Sequence, residues 1–272
     1  QMRYETIRAN MQDGIWYPQI MPEWYMGMQL LRYYAPLPYY AMYALEAWLG
    51  SPAAALNGFL LFWTVAGALS WLAYRRFIGA APAVLAGIIY LILPDLVRVA
   101  FSEGNLPRVM AAGQTPLLLC FALRLLTGQG GRRDKILLAL VFAMVTLTHA
   151  MMAAVFAAAL ALAVGLAVLL GAAAPRRAAQ VLLWAGLGIG AAAAWLIPSL
   201  SGGITELEGG AVSRGFDIIA WADFLNPLLR LRSIETMYLG VGLLGCVFLS
   251  LFTPWARSRL AGALAAAGIG LG

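Results

Sequence analysis

One short stretch between two apolar runs holds the side chains best suited to chemistry. Residues 101–109 read FSEGNLPRV, and Asp95 and Arg98 lie just upstream. Carboxylates act as general bases or cation ligands, and guanidiniums bind phosphate through paired hydrogen bonds. Glu103 and Asp95 are therefore the residues of this region that could hold a cation, and Arg98 and Arg108 are the candidate phosphate ligands. The alternative is that the two arginines only pair with the two carboxylates.

Four further residues are candidates for binding a substrate. Asn105 belongs to the same stretch, and the rings of Trp16 and Tyr17 could stack on a sugar. Tryptophan and tyrosine near a bilayer also serve as interfacial anchors, which is the alternative for this pair. His149 is the only histidine and lies where two apolar runs meet, so it is either a ligand contact or a hydrogen-bonded structural residue. The carboxylates could also bind a divalent cation, Mg²⁺ or Mn²⁺, as a cofactor.

The elements that must position these residues are transmembrane helices. Charged residues make up 11% of the sequence and mean hydropathy is +0.81, whereas soluble domains contain about 25% charged residues. The apolar runs are continuous, which excludes the alternating strands of a barrel. We therefore predict an all-α, polytopic transmembrane bundle of about seven to eight helices. The apolar segments are 53–74, 79–94, 109–126, 136–148, 151–172, 178–198 and 237–255, with a truncated one from 260.

The basic residues predict the orientation of this bundle. The net charge is +6, but the basic residues cluster at the ends of apolar runs, as topology determinants do, which argues against a nucleic-acid partner. If the clusters at 75–76, 132–135, 176–177 and 257–259 are cytoplasmic, then 95–108 and 200–236 are external loops and His149 is also external.

The first 52 residues form the other predicted division of the chain. Residues 1–52 are expected to be an external loop with an interfacial helix, and 53–272 the transmembrane domain. The segment 34–50 is too short to span a bilayer and is rich in Tyr and Trp, which is typical of a helix lying at the interface. Because the chain begins at Gln1 without an apolar first segment and ends inside an apolar run, we expect an internal piece of a longer protein.

Two stretches carry a resemblance to a known family. GIWYPQIMPEWYMGMQLLRYYAPLPYYAMYALEAWLG, followed by a span ending in Arg-Arg, resembles the GT-C superfamily of membrane glycosyltransferases. GAAPAVLAGIIYLILPDLVRVAFSEGNLPR is similar to the same superfamily. The similarity is to uncharacterised bacterial members, some of them described as 6-pyruvoyl-tetrahydropterin synthase-related membrane proteins. It covers about residues 12 to 125.

The resemblance implies a fold, a reaction and a set of partners. It implies transfer of a sugar from a polyprenyl-phosphate carrier to an acceptor, at the external face of the bacterial cytoplasmic membrane. In such enzymes an acid just after the first transmembrane helix acts as base or metal ligand, and that position is expected to precede Gln1. A second acidic position, in the next external loop, maps to Glu103 or Asp95, which the resemblance makes the candidate catalytic residues. The usual order is Arg-Gly before the acid, whereas here Glu103 precedes Gly104 and Arg108 follows. The alternatives are a non-catalytic scaffold subunit bound to other membrane subunits and, third, a lipid or solute transporter.

Overall fold

The computed structural model describes residues 2–18, 20, 27 and 29–201, which are helical and contain no strand. The predicted loop 200–236 lies outside these residues beyond Ser201, as do the predicted apolar segments 237–255 and from 260 onward. The helices are α1 (Met2–Gln12), α2 (Leu30–Tyr33), α3 (Leu37–Leu49), α4 (Pro52–Ser70), α5 (Arg75–Ile78), α6 (Ala80–Leu91), α7 (Pro94–Val97), α8 (Leu106–Leu126), α9 (Arg132–Thr148), α10 (Ala150–Leu169), α11 (Pro175–Ala191) and α12 (Ala193–Leu200). A 3₁₀ turn, Trp71–Tyr74, joins α4 to α5, and a π-helical turn, Arg98–Ser102, follows α7.

The predicted all-α, polytopic membrane fold is confirmed. In the described part of the chain, three helical segments are long and apolar enough to cross a bilayer: Pro52–Ile78, Leu106–Leu126 and Ala150–Leu169. Two bent pairs raise the number to five if each pair is one span. The 13-residue α3, by contrast, is too short to cross, as predicted for 34–50.

Three predicted segments differ in detail from single straight spans. The run 79–94 ends at α6, and the chain bends by 41° into Pro94–Ser102, because the residue before a proline is pushed out of the helical region. The run 178–198 bends by 75° between α11 and α12, after three glycines that lower helix propensity. The third, α9, has 17 residues, of which the first four are charged.

Side-chain caps and close helix contacts fix the bundle. Ser51 accepts a hydrogen bond from the Ala54 amide at the start of α4, with a length of 3.2 Å. A Cβ on Gly113 of α8 would lie 2.6 Å from the Trp63 carbonyl oxygen of α4, so this crossing requires glycine. The largest apolar core lies between α8, α9, α10 and α11, and Phe142 is fully buried in it. A second core joins α1, α2, α3, α4 and α8.

The alternating helix directions give the bundle two chemically different ends. We call one the arginine end; it carries Arg75, Arg76, Arg132, Arg133, Lys135, Arg176 and Arg177. There Arg124 lies 3.1 Å from the buried carboxylate of Asp134, which also accepts the Gly131 amide. The opposite end carries the α3–α4 junction, residues 92–105, His149 and α12. Helices α1, α2 and α3 share a core with α4 and α8, and the separate division predicted for residues 1–52 stays a prediction.

Candidate functional site

The segment 94–105 obtains its shape from an irregular helix. Pro94 starts α7, and the π-helical turn that follows closes with a 3.0 Å hydrogen bond from the Glu103 amide to the Arg98 carbonyl. Gly104 then adopts a φ of 59°, in the left-handed region that favours glycine. The π turn places Arg98 and Glu103 on the same side, five residues apart. Such turns are common at functional sites.

All four charged candidate residues of this segment pair with one another. Arg98 contacts both Asp95, at 2.6 Å, and Glu103. Arg108 contacts the same two carboxylates, at 3.2 Å for Asp95 and 3.7 Å for Glu103. We call this arrangement the ion-pair ring; its formal charge sums to zero. The alternative left open by the sequence, that the arginines pair with the carboxylates, is thus the geometry observed.

A large cavity lies beside the ion-pair ring at the same end of the bundle. Its volume is about 1080 Å³. Most of its wall is apolar. The polar and aromatic groups that line it are Arg3, Tyr4, Tyr34, Tyr39, Glu103, Asn105, Thr146, Thr148, His149 and Trp195. Arg98, Arg108 and Asp95 are not among the described lining residues, so Glu103 is the member of the ion-pair ring that faces the cavity.

Asn105 and His149 both line the cavity while capping a helix. The Asn105 side-chain oxygen, Oδ1, accepts a hydrogen bond from the Arg108 backbone amide at 3.2 Å, at the start of α8. His149 Nδ1 accepts the Met152 amide at 3.3 Å, at the start of α10. Burial and then the positive charge of Arg108 lower the pKa of His149, so its ring is neutral at pH 7. Both predicted substrate-binding residues therefore lie at the cavity with fixed side chains.

The short helix α12 forms one wall of the cavity and is bound to α2. Trp195 is buried, and its Nε1–H donates to the Leu31 carbonyl at 2.6 Å. The hydroxyl of Ser199 donates to the Arg32 carbonyl, and the Arg32 guanidinium donates to the Ser201 carbonyl at 2.6 Å. Arg32 of the predicted external loop 1–52 is therefore in contact with Ser201, at the start of the predicted external loop 200–236.

Trp16 and Tyr17 lie away from the large cavity. Trp16 is 63% exposed and packs edge-on against Tyr43, and its carbonyl accepts the Tyr40 hydroxyl. Tyr17 lines a smaller cavity of about 350 Å³, together with Arg32 and Trp195. The structure therefore does not bring these two aromatic candidates together with Glu103, and their role as sugar contacts stays a prediction.

Comparison with known proteins identifies the family. Residues 31–270 match the model of the family described as "6-pyruvoyl-tetrahydropterin synthase related domain; membrane protein". The chain belongs to this family. No curated protein and no solved structure matches it. As a PTPS-related membrane protein, the chain is an integral membrane protein.

Sequence reasoning missed two parts of the site in this PTPS-related protein. Arg3 lines the cavity and its guanidinium stacks over the Tyr34 ring, 3.7 Å from the ring centroid. Glu46 pairs with Arg8 at 2.6 Å and accepts the Tyr4 hydroxyl, so it joins α3 to α1. No motif marks either residue. The available signal for Arg3 was the run of charged and polar residues in α1, and for Glu46 it was a single acid within the otherwise apolar and aromatic α3.

The residues of this PTPS-related protein do not form a metal-binding group in the described part of the chain. Nowhere in that part do three or more His, Cys, Asp or Glu side chains come together. The two carboxylates of the ion-pair ring are neutralised by guanidiniums, a donor set unsuited to Mg²⁺ or Mn²⁺. Among the described residues, the divalent cation suggested by the sequence therefore has no fitting ligand set.

Proposed function

We propose that this PTPS-related membrane protein transfers a sugar from a polyprenyl-phosphate carrier to an acceptor, at the extracytoplasmic face of the bacterial cytoplasmic membrane. The observation that carries the proposal is the large cavity beside Glu103. Its apolar wall suits isoprenoid carbons, and its polar groups suit a phosphate and a sugar. Its volume is near the upper end of the usual range for ligand pockets, about 300–1,000 Å³.

The distribution of Lys and Arg supports the extracytoplasmic location proposed for the cavity. Cytoplasmic loops of membrane proteins are enriched in Lys and Arg. The arginine end then faces the cytoplasm, and the cavity lies at the extracytoplasmic end. In the GT-C superfamily, which the chain resembles in sequence, the same face carries the reaction.

Glu103 is the base in the proposed reaction. Its carboxylate takes the proton of the acceptor hydroxyl while that oxygen bonds to the anomeric carbon of the sugar. The bond from this carbon to the phosphate oxygen breaks, and polyprenyl phosphate leaves with the electron pair. Arg98 and Arg108 are positioning residues in this scheme, because each contacts both carboxylates of the ion-pair ring.

A transfer assay tests the proposal. The full-length protein is reconstituted in liposomes with a native membrane extract as the source of acceptor. It is supplied with a panel of polyprenyl-phosphate-linked hexoses and pentoses, and release of polyprenyl phosphate is followed by mass spectrometry. Glu103→Gln should reduce release about 10²- to 10⁴-fold. Glu5→Gln, which removes an exposed carboxylate on α1, is the matched control and should leave release unchanged. Wild-type release from no carrier in the panel would contradict the proposal, as would equal rates for wild type and Glu103→Gln.

The ion-pair ring itself favours a second candidate, a non-catalytic scaffold. A carboxylate paired with two guanidiniums can have a purely structural role, which is to hold the loop 94–105 in its conformation. On that account, Glu103→Gln lowers stability and changes no chemistry. A melting experiment run beside the transfer assay separates the two: loss of transfer by a variant that remains folded at the assay temperature supports the enzyme and opposes the scaffold.

A further inference from the structure

We propose that His149 binds the phosphate of the ligand in the large cavity, donating a hydrogen bond from its Nε2–H while Nδ1 remains the cap of α10. This inference rests on the proposed function and names the residue and the atom that receive the anionic group. The ligand class is a phosphate monoester or diester carried on an isoprenoid chain. Sequence alone left a ligand contact and a structural role as alternatives for this residue. In the proposed arrangement His149 has both roles, one through each ring nitrogen.

The hydrogen bond at Nδ1 determines the tautomer of the His149 ring. The Met152 amide donates to Nδ1 at 3.3 Å, so Nδ1 has to present a lone pair and cannot carry a proton. In a neutral imidazole the proton then resides on Nε2. The cap of α10 therefore fixes His149 as a donor at Nε2. A phosphate oxygen, which only accepts hydrogen bonds, is a matching partner.

His149 shares the lining of the large cavity with other residues that carry hydrogen-bond donors. His149 is half-buried and lines the large cavity, where Asn105 and Arg3 also lie. The Asn105 side chain uses its oxygen for the Arg108 amide, which leaves its NH₂ group as a second neutral donor. Arg3 supplies a guanidinium to the same lining. The cavity wall thus contains donors from three separate segments of the chain.

The balance of charges in the cavity lining bears on which ligand His149 can bind. The charged and titratable groups that line the cavity with His149 are Arg3, Tyr4, Tyr34, Tyr39 and Glu103, and Arg108 acts electrostatically on its ring. Two of these are cations and one is an anion at pH 7. Glu103 is neutralised by its guanidinium partners in the ion-pair ring. The surroundings therefore favour an anion beside a neutral, proton-bearing Nε2, where a protonated ring would lose the α10 cap.

An amide exchange at position 149 separates ligand binding from capping. His149→Asn keeps an acceptor oxygen close to the position of Nδ1 and removes the Nε2–H donor. His149→Gln reaches the position of Nε2 with an amide NH₂ and removes the acceptor at the Nδ1 position. If His149 only caps α10, His149→Asn should bind and melt as wild type does. If His149 also binds phosphate through Nε2, His149→Asn should bind more weakly than His149→Gln.

The experiment measures binding of farnesyl phosphate to the full-length protein by calorimetry, beside thermal melting of each variant. We expect His149→Asn to bind about tenfold or more weakly, with a melting temperature close to that of wild type. His149→Gln should bind within a few-fold of wild type and melt at a lower temperature. Unchanged binding by His149→Asn, while wild type binds, overturns this inference alone. Absence of farnesyl phosphate binding by wild type overturns the proposed ligand class together with it.

Two further readouts give the inference independent tests. Inorganic phosphate is used as a competitor: equal affinity for phosphate and farnesyl phosphate supports the His149 contact but assigns it to free phosphate rather than a lipid.

Nitrogen-15 NMR of labelled histidine, with His149→Asn used to assign the signal, reports the tautomer directly. The Nε2–H form is expected, and an Nδ1–H form in the free protein would overturn the inference even if the variants bound weakly.

Discussion

The ion-pair ring makes a quantitative prediction for a double-mutant cycle. In wild type, Arg98 and Arg108 alternate with Asp95 and Glu103, so each charge has two opposite neighbours. Glu103→Gln leaves two guanidiniums and one carboxylate in a partly buried place. A hydrogen bond to a charged group contributes about 1.5–3 kcal/mol, and solvent screening reduces this for exposed partners.

The two pairs that involve Glu103 should differ in strength. The Arg98 side chain is 10% exposed and in closer contact with Glu103, whereas the Arg108 side chain is 21% exposed and lies 3.7 Å away. We expect a coupling free energy of about 1–2 kcal/mol for Arg98 with Glu103. The coupling of Arg108 with Glu103 should be about 0.5 kcal/mol or less.

Thermal melting in detergent supplies the measurement. Single and double glutamine variants of each pair are compared, and Glu5→Gln is the control for loss of an exposed carboxylate. In proteins of this size about 1 kcal/mol corresponds to 2–4 °C in the melting temperature, so Glu103→Gln should melt several degrees below wild type. Raising the salt concentration should reduce the coupling of Arg108 more than that of Arg98. Equal couplings for the two pairs, or melting of Glu103→Gln at the temperature of Glu5→Gln, would refute the reasoning.

Three further predictions concern packing, the α12 wall and pH. Gly113→Ala should destabilise the fold by about 1–3 kcal/mol because the new methyl group meets the carbonyl of α4; Gly165→Ala, which meets open space on α10, should be neutral or slightly stabilising in the same unfolding assay. Trp195→Phe removes the donor to the α2 carbonyl and should cost about 1–3 kcal/mol of stability; melting of the variant at the wild-type temperature would show that α12 does not depend on this bond. Because the folded pKa of His149 is lowered, the unfolded chain binds its proton first, so stability should fall as pH decreases below about 6.5 and level off below the folded pKa; the variant His149→Asn should lack this component, and parallel pH profiles would contradict the sign.

Composition and charge order were enough to predict the helical bundle and its two ends. The apolar runs and the basic clusters between them fixed which helix termini meet, so the approach of 95–108, His149 and the first 35 residues followed. Pro94 marked the break after α6. These features depend on patterns that extend over many residues, and such patterns survive local changes in packing.

The details of the site depended on contacts that no spacing reveals. Whether Arg98 and Arg108 would face a ligand or the carboxylates was left open, because the π turn that brings Arg98 to Glu103 has no simple sequence signature. Arg3 reaches the cavity only because α1 packs on α3, an arrangement between segments about 40 residues apart. The capping role of His149 required the geometry of its backbone, which a lone histidine in an apolar sequence does not indicate.

The most direct test of the central claim is a cryo-electron microscopy map of the full-length protein in a lipid nanodisc with added polyprenyl phosphate. The proposed function predicts an elongated density in the large cavity, with its isoprenoid chain on the apolar wall and its headgroup beside Glu103. The inference on His149 predicts in addition that the phosphate lies within hydrogen-bond distance of Nε2. A cavity closed by another protein segment, with the ion-pair ring intact and no lipid beside Glu103, would contradict the transferase and support the scaffold.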